Sequence, residues 1–318
     1  MNREPCVVIA SHISNNKRIE YLSECLTSLC NQTYPIFVYL SISFNDEFLL
    51  KLFNHTISEI QKPEKMSIYI REQKTAQMRH MALLLPEIEK NGHEWIMFSD
   101  DDDTYDTKRV EVFTNAILEG SQYLNNIGKS FAGIYESTFG KLHHEHRHEY
   151  WCYCIHIDIY RRFFDRIIIH EDVLDNKCCD IIFAEYFRRT GEQWLFGRIT
   201  ENLYNYRVIE NSDSITGTIQ TRQQTEVRRA NPPSFDDKPA LAKYINEFNQ
   251  YLHENIDIYL HDVYLRSVVG IDFNNILLKE FTLDYPLLQY VEPCHLEKIH
   301  AYWQRLREIA NDIYDIKF

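Results

Sequence analysis

Two kinds of apolar pattern alternate along the chain. Short runs dense in branched and aromatic residues recur at CVVIA (6–10), IFVYLSI (36–42), MSIYI (66–70), EWIMF (94–98), FAGIY (131–135) and YWCYCIHI (150–157). Each predicts a strand. Between the first four, apolar residues fall at helical intervals. In RIEYLSECLTSLCNQ, Ile19, Leu22, Leu26 and Leu29 share one helix face, and TAQMRHMALLLPEIEK repeats the pattern with Met78, Met81, Ala82 and Leu85. Strand–helix–strand alternation predicts an α/β fold, a mainly parallel sheet flanked by helices. In open sheets of this type, ligands bind beyond the carboxyl ends of the strands.

The texture changes near residue 217. TGTIQTRQQTEVRRANPPSFDDKP (216–239) is polar, carries a Pro-Pro pair and shows no apolar periodicity. It predicts a linker or surface loop over 218–238, between a sheet domain at 1–217 and a helical C-terminal region at 239–318. In that last region ALAKYINEFNQYL and HLEKIHAYWQRLREIANDIYDI are amphipathic, the second with Leu296, Ile299, Trp303, Leu306, Ala310 and Ile313 on one stripe. These helices either pack on the sheet domain or form a contact between copies in a homo-oligomer.

Composition narrows the function. With 44% hydrophobic and 25% charged residues over 318, the chain is globular rather than disordered. A net charge of −13 argues against a nucleic-acid partner, which needs a basic footprint, and against anchoring on an anionic membrane. No run reaches the ~20 apolar residues of a membrane span. The opening MNREPCVVIASHIS does not read as a secretory leader. The eight cysteines show no C-x-x-C pair and no metal-ligand spacing. Reduced, mostly buried thiols in a cytoplasmic protein are the expectation.

The segment with most chemistry is EWIMFSDDDDTYDTKR (94–109), where an apolar strand ends in four consecutive aspartates. Two carboxylates about 4–5 Å apart repel by roughly 3–4 kcal/mol at an effective dielectric near 20. A fold that gathers them at a strand end either lets water screen that cost or uses a cation to remove it. Asp100, Asp102 and Asp103 offer the hard oxygen ligands that Mg²⁺ or Mn²⁺ prefers. If the strand alternation continues, Asp100 and Asp102 point to the same side. The plainer alternative is a solvated turn, or a helix opening at DTYDTKR.

WIMFSDDDDTYDTKRVEV resembles the D-x-D region of the family 2 nucleotide-sugar-dependent glycosyltransferases, which have the GT-A fold. Other segments resemble that family in the same order. CVVIASH…RIEYLSECLTSLCNQTYPIFVYLSIS is similar to its opening strand, first helix and second strand, and TAQMRHMALLL to the segment in which an Arg precedes the helix before the D-x-D strand. CCDIIFAEYFRRTG (178–191) resembles its later acidic motif and LYNYRVIENSDSIT (203–216) its Y-R-x-H segment. The resemblance implies a metal-dependent transfer of a sugar from a UDP-, GDP- or TDP-linked donor to a hydroxyl of a glycan or other acceptor, with inversion. By the same resemblance Asp102 is the Mn²⁺ or Mg²⁺ ligand, with Asp100 near the sugar or ribose and Asp103 in support. Asp180 is the general base, with Glu171 and Asp172 as the rival pair; Arg79 and Arg207 lie near the diphosphate.

Three positions depart from the family pattern. Where many members place an Asp after the second strand to contact the nucleobase, this chain has Ser41 and Ser43, with Asp46 displaced, and Ser43 is the donor-contact candidate. Ile209 replaces the His of Y-R-x-H, and Cys179 the Glu before the base. Rival readings are therefore a catalytically impaired nucleotide- or glycan-binding relative, a two-metal phosphoryl-transfer enzyme, and retention rather than inversion. His144, His146 and His148 alternate in KLHHEHRHEYW (141–151), which is expected to be an exposed hairpin rather than a zinc site. Trp151 and Tyr153 are candidates for a sugar platform or for the core, and Gly191 for a helix stop.

Overall fold

The computed structural model describes residues 4–126, 130–137, 148–190, 195–207, 233–261 and 290–315. The chain divides into two compact units, Met1–Asp175 with Cys179–Arg207, and Asn176–Cys178 with Val208–Phe318. The expected boundary at 217 and most of the expected loop lie outside the described residues, as do His144, His146, Gly191 and Ile209.

The first unit opens with β1 (Cys6–Ile13), α1 (Asn16–Cys30), β2 (Phe37–Phe44), α2 (Glu47–Glu59) and β3 (Lys65–Arg71). Next come α3 (Gln77–Ala82), α4 (Leu85–Lys90), β4 (Trp95–Ser99), β5 (Thr104–Tyr105), α5 (Arg109–Asn126) and β6 (Phe131–Glu136). A 3-10 turn (Tyr150–Cys152) leads into β7 (Tyr153–His156), α6 (Ile157–Ile167), α7 (Glu171–Leu174), α8 (Cys179–Thr190), β8 (Leu195–Ile199) and β9 (Tyr204–Asn205). β1 to β4 and β6 to β8 form a seven-stranded sheet in the order β3-β2-β1-β4-β7-β6-β8, parallel except for β7, and β5 pairs with β9 in a separate ribbon. This is the α/β arrangement, a mainly parallel sheet flanked by helices, expected from the alternation.

The central strands are continuous apolar runs because helices cover both faces of a parallel sheet. Every residue of β4 is buried, and β1 is buried at all but His12. β3, at the edge, alternates between exposed and half-buried positions, with Lys65 and Arg71 at its ends. A Cβ on Gly133 would lie 2.2 Å from the Cys154 carbonyl oxygen, so only glycine lets β6 lie against β7.

Two sequence expectations change. TAQMRHMALLLPEIEK is not one helix: it breaks at Leu83–Leu84, because Pro86 in the first turn of α4 has no N–H with which to continue the ladder. YWCYCIHI is a strand only over Tyr153–His156. Its pairing with β4 ends at His156, and the Ile157 N–H, donating to the Glu94 carbonyl at 2.8 Å, already belongs to α6.

In the second unit α9 (Lys238–Ile258) bends at Asn255, and α10 (Pro293–Tyr314) buries Ile299, Leu306, Ala310 and Ile313 of the expected stripe. Leu296 and Trp303 are half-buried. Among the described residues no helix is long and apolar enough to cross a membrane.

Candidate functional site

The chain runs β1, β2, β3 to one side and then returns to place β4 on the other side of β1. That reversal makes the carboxyl ends of β1 and β4 a topological switch point, where loops diverge and leave a crevice. The four aspartates begin one residue after β4, at this point. They do not continue the strand. Asp101 and Asp102 form a turn, β5 follows at Thr104, and the alternation expected beyond Ser99 gives way to four separately anchored side chains.

Asp100 Oδ1 accepts hydrogen bonds from the Tyr150 hydroxyl and from Gln77 Nε2 (2.9 Å), and Gln77 also donates to the Tyr150 oxygen at 2.8 Å. Its Oδ2 has no partner among the described residues. Asp101 is buried, accepting from Ser11 on one oxygen and from Arg18 on the other. Asp102 Oδ2 lies 3.1 Å from Arg18, both side chains being 16% exposed. Asp103 is buried with both oxygens engaged: Oδ2 by the Tyr204 hydroxyl at 2.8 Å and Oδ1 by the Arg207 N–H at 2.7 Å. The β5–β9 pairing, Thr104 opposite Asn205 and Tyr105 opposite Tyr204, turns the chain so that Asp103 faces this segment. Asp103, expected to support a metal, has both oxygens engaged in bracing the turn against the β9 segment.

The electrostatics follow from crowding. Burial, and then Asp103 and Asp102, hold the Asp100 carboxyl well above the ordinary range. Burial pushes Asp103 up to about 7 against the Arg207 N–H, with Asp102 adding to the rise. Asp101 also rises through burial, although Arg18 opposes it. Arg18 is the cation sequence reasoning missed. One signal was present: Lys17 and Arg18 occupy the first turn of α1, where the helix dipole disfavours positive charge. The aspartates offset that misfit.

Arg207, expected near the diphosphate, lies against the aspartate turn. Its Nε donates to the Asp102 carbonyl at 2.7 Å, its guanidinium reaches Glu24, and it lies 4.3 Å over the Tyr21 ring. Arg79 is not brought to the aspartates. It faces Asp175, which takes both Nε (2.5 Å) and Nη2 (2.8 Å), because Asp175 closes the short α7 beside α3. Ser43 is also placed differently from expectation. It is fully buried, 2.9 Å from His12 Nδ1 and 3.3 Å from His80 Nε2, so it positions His12 rather than meeting a ligand. The row continues from His80 to Ser41 (2.8 Å) and Arg71 (2.9 Å), and from His12 to Asn45 (2.9 Å). Burial, with Arg71 and His12 nearby, pushes His80 down to about 4, so it is neutral. The displaced Asp46 caps α2, accepting from the Leu49 N–H at 2.9 Å.

Asp180 stands in the first turn of α8 and adds to the negative field on Tyr150, the residue that holds Asp100. Glu171 acts on Arg79 instead, and both Glu171 and Asp172 are exposed on α7. Trp151 stacks on Tyr204 at 4.1 Å and Tyr206 at 5.3 Å, and Tyr153 is fully buried, so both belong to the core beneath the site. Tyr150, Gln77 and Tyr204 carried no local signal.

The donor set fits a divalent cation of the oxygen-seeking kind. Asp100 Oδ2 and the Asp102 carboxylate are hard donors in a corner with surplus negative charge. Among the described residues the aspartates do not converge as a set of three ligand atoms. An ion here would take one or two carboxylates and complete its shell with phosphate oxygens and water, the usual manner of Mg²⁺.

Sheet order and acidic switch point together define an α/β protein with a candidate ligand crevice at the end of β4. No known family profile matches the chain, and no curated protein does. Among solved structures, S. aureus TarS 1–349 in complex with UDP is similar at a TM-score of 0.42 and 12% identity, over 97% of this chain and 88% of that one. The same portion with UDP-GlcNAc gives 0.40 at 12%, over 97% and 89%. A longer TarS structure gives 0.40 at 11% over 98% of this chain and 54% of that one, so the chain spans about half its length.

Proposed function

We propose that the chain is a metal-dependent glycosyltransferase that moves a sugar from a nucleoside-diphosphate sugar to an acceptor hydroxyl with inversion. The observation that supports it most is the divided tetrad. Asp101 and Asp103 are buried with both oxygens engaged in holding the turn, whereas Asp100 Oδ2 has no partner among the described residues and the half-buried Asp102 pairs with Arg18 through Oδ2. Asp102 and Asp100 would hold Mn²⁺ or Mg²⁺, which supplies positive charge for the leaving diphosphate.

This chain's own residues do the rest. Arg207 and Arg18 flank the turn and add guanidinium charge where the diphosphate departs. Tyr150 and Gln77 fix the Asp100 carboxyl through Oδ1 and leave Oδ2 without a partner among the described residues. Asp180 accepts the proton of the attacking hydroxyl, and its bearing on Tyr150 supports it over Glu171 and Asp172. A two-metal phosphoryl-transfer site finds less support, because such sites need a converging carboxylate cage.

Turnover of UDP-, GDP- and TDP-sugars with Mn²⁺, read as release of the nucleoside diphosphate, tests the reading. Asp102→Asn should lower release about 10²–10³-fold, the scale of losing one electrostatic stabiliser. Asp180→Asn should spare nucleotide binding and stop transfer. Binding of nucleotide without release from any donor would assign the impaired relative instead.

A further inference from the structure

The second unit carries a different cluster, far in chemistry from an oxygen-only site. Glu292, Cys294 and His295 each present one ligand atom, and these atoms all lie within 4.8 Å of one another at the start of α10. Glu292 and Cys294 are exposed, whereas His295 is 5% exposed. Neither ring nitrogen of His295 has a hydrogen-bond partner among the described residues, and Glu292 Oε2 stands 4.0 Å from Nε2. A buried imidazole with both nitrogens unpaired costs free energy unless something fills the gap.

The backbone holds this corner in place. Asn249 of α9 accepts from the Glu292 N–H at 3.1 Å and donates to the Tyr290 carbonyl at 3.0 Å, which fixes the turn before α10. Pro293 in the first turn sets the helical direction. The His253 ring of α9 lies 6.1 Å from the His295 ring, edge to face. Two side chains that carry negative charge when bound, a thiolate and a carboxylate, stand at a helix start, where the dipole favours them. With one neutral imidazole they balance a dication.

We propose that Glu292, Cys294 and His295 form a Zn²⁺ site at the head of α10. Mixed nitrogen, sulfur and oxygen ligands select zinc over the hard cations expected at the aspartates. The contiguous E-x-C-H spacing explains why the cysteine pattern gave no sign of it. The proposal is independent of the glycosyltransferase reading.

The full chain, stripped with a chelator and dialysed, is titrated with Zn²⁺ against a chromophoric competitor, and separately with Co²⁺. One equivalent should bind, with a thiolate-to-cobalt charge-transfer band, and the zinc form should unfold at higher temperature than the stripped form. Cys294→Ser, an exposed change that does not threaten folding, should remove the band, abolish the thermal shift and lower zinc affinity at least about tenfold. Asp102→Asn should leave all three unchanged, which separates this site from the aspartate turn. Retention of the affinity and thermal shift in Cys294→Ser, or absence of a thiolate band in the parent chain, overturns the proposal.

Discussion

Two of the places where the first unit buries charge treat it oppositely. Arg109 and Glu136 form a one-to-one pair, 3.3 Å apart with both side chains fully buried. Arg109 also donates to the Trp151 carbonyl at 2.8 Å and lies 4.2 Å over Tyr105 and 4.8 Å over Tyr204. At the end of β4, by contrast, four carboxylates crowd together, only Asp101 and Asp102 pair with the Arg18 guanidinium, and the opening side is only half-buried. Where charge serves only to lock α5 onto β6, the fold balances it and seals it. Where surplus negative charge is left at a crevice, the imbalance itself is the binding property.

Breaking the balanced pair should have the largest effect. Glu136→Ala leaves a buried guanidinium without its partner and should cost about 3–5 kcal/mol. Thermal unfolding should register a fall on the order of 10 °C. A loss under about 1 kcal/mol would mean the pair is solvated and the contrast false. Next comes Arg18→Gln, which removes the guanidinium from Asp101 and Asp102 and should cost about 1.5–3 kcal/mol by denaturant midpoint. Here Mn²⁺ in excess should restore part of the loss, because a cation can occupy the vacated field. It should restore nothing in Glu136→Ala.

Smaller still, and opposite in sign, is Asp100→Asn. The amide oxygen can still accept from Tyr150 and Gln77 while one crowded charge disappears. The chain without added metal should gain roughly 1 kcal/mol at neutral pH. The same variant should bind Mn²⁺ with nucleotide more weakly than the parent. Stability and affinity moving together would show that Asp100 is a structural carboxylate.

How far the sequence reached depends on the range of the interaction. β1, β2 and β4 were legible because burial on both faces leaves an unbroken apolar run, and α1 because its buried stripe repeats locally. The division of α3 from α4 was written in Pro86, yet apolar spacing runs across it undisturbed. The aspartate turn was legible as composition, but its partners were not. Ser11, Arg18 and Tyr204 reach Asp101 and Asp103 from 90, 83 and 101 residues away, and no local period records such pairings. Arg79 and Ser43 were placed by resemblance alone, and each faces a neighbour the resemblance did not specify, Asp175 and His12.

The finest test sets two buried titrating groups against each other. Asp103 rises from its ordinary 3.8 to about 7, so between those values the folded chain holds a proton that the unfolded chain has lost. Its contribution to stability therefore falls as pH rises through that window. His80 drops from 6.5 to about 4, so over its window the unfolded chain holds the extra proton and stability rises with pH. In the parent chain the two slopes oppose, and the unfolding temperature should vary little between about pH 4.5 and 6.5 on their account. His80→Asn deletes the rising slope and keeps an amide beside Ser41. Its unfolding temperature should decline with pH relative to the parent's by a few degrees. Asp103→Asn should tilt the curve the other way. Parallel curves for all three proteins would mean that neither group titrates differently on folding, and the acidic turn would then be no more strained than the pair that seals Arg109.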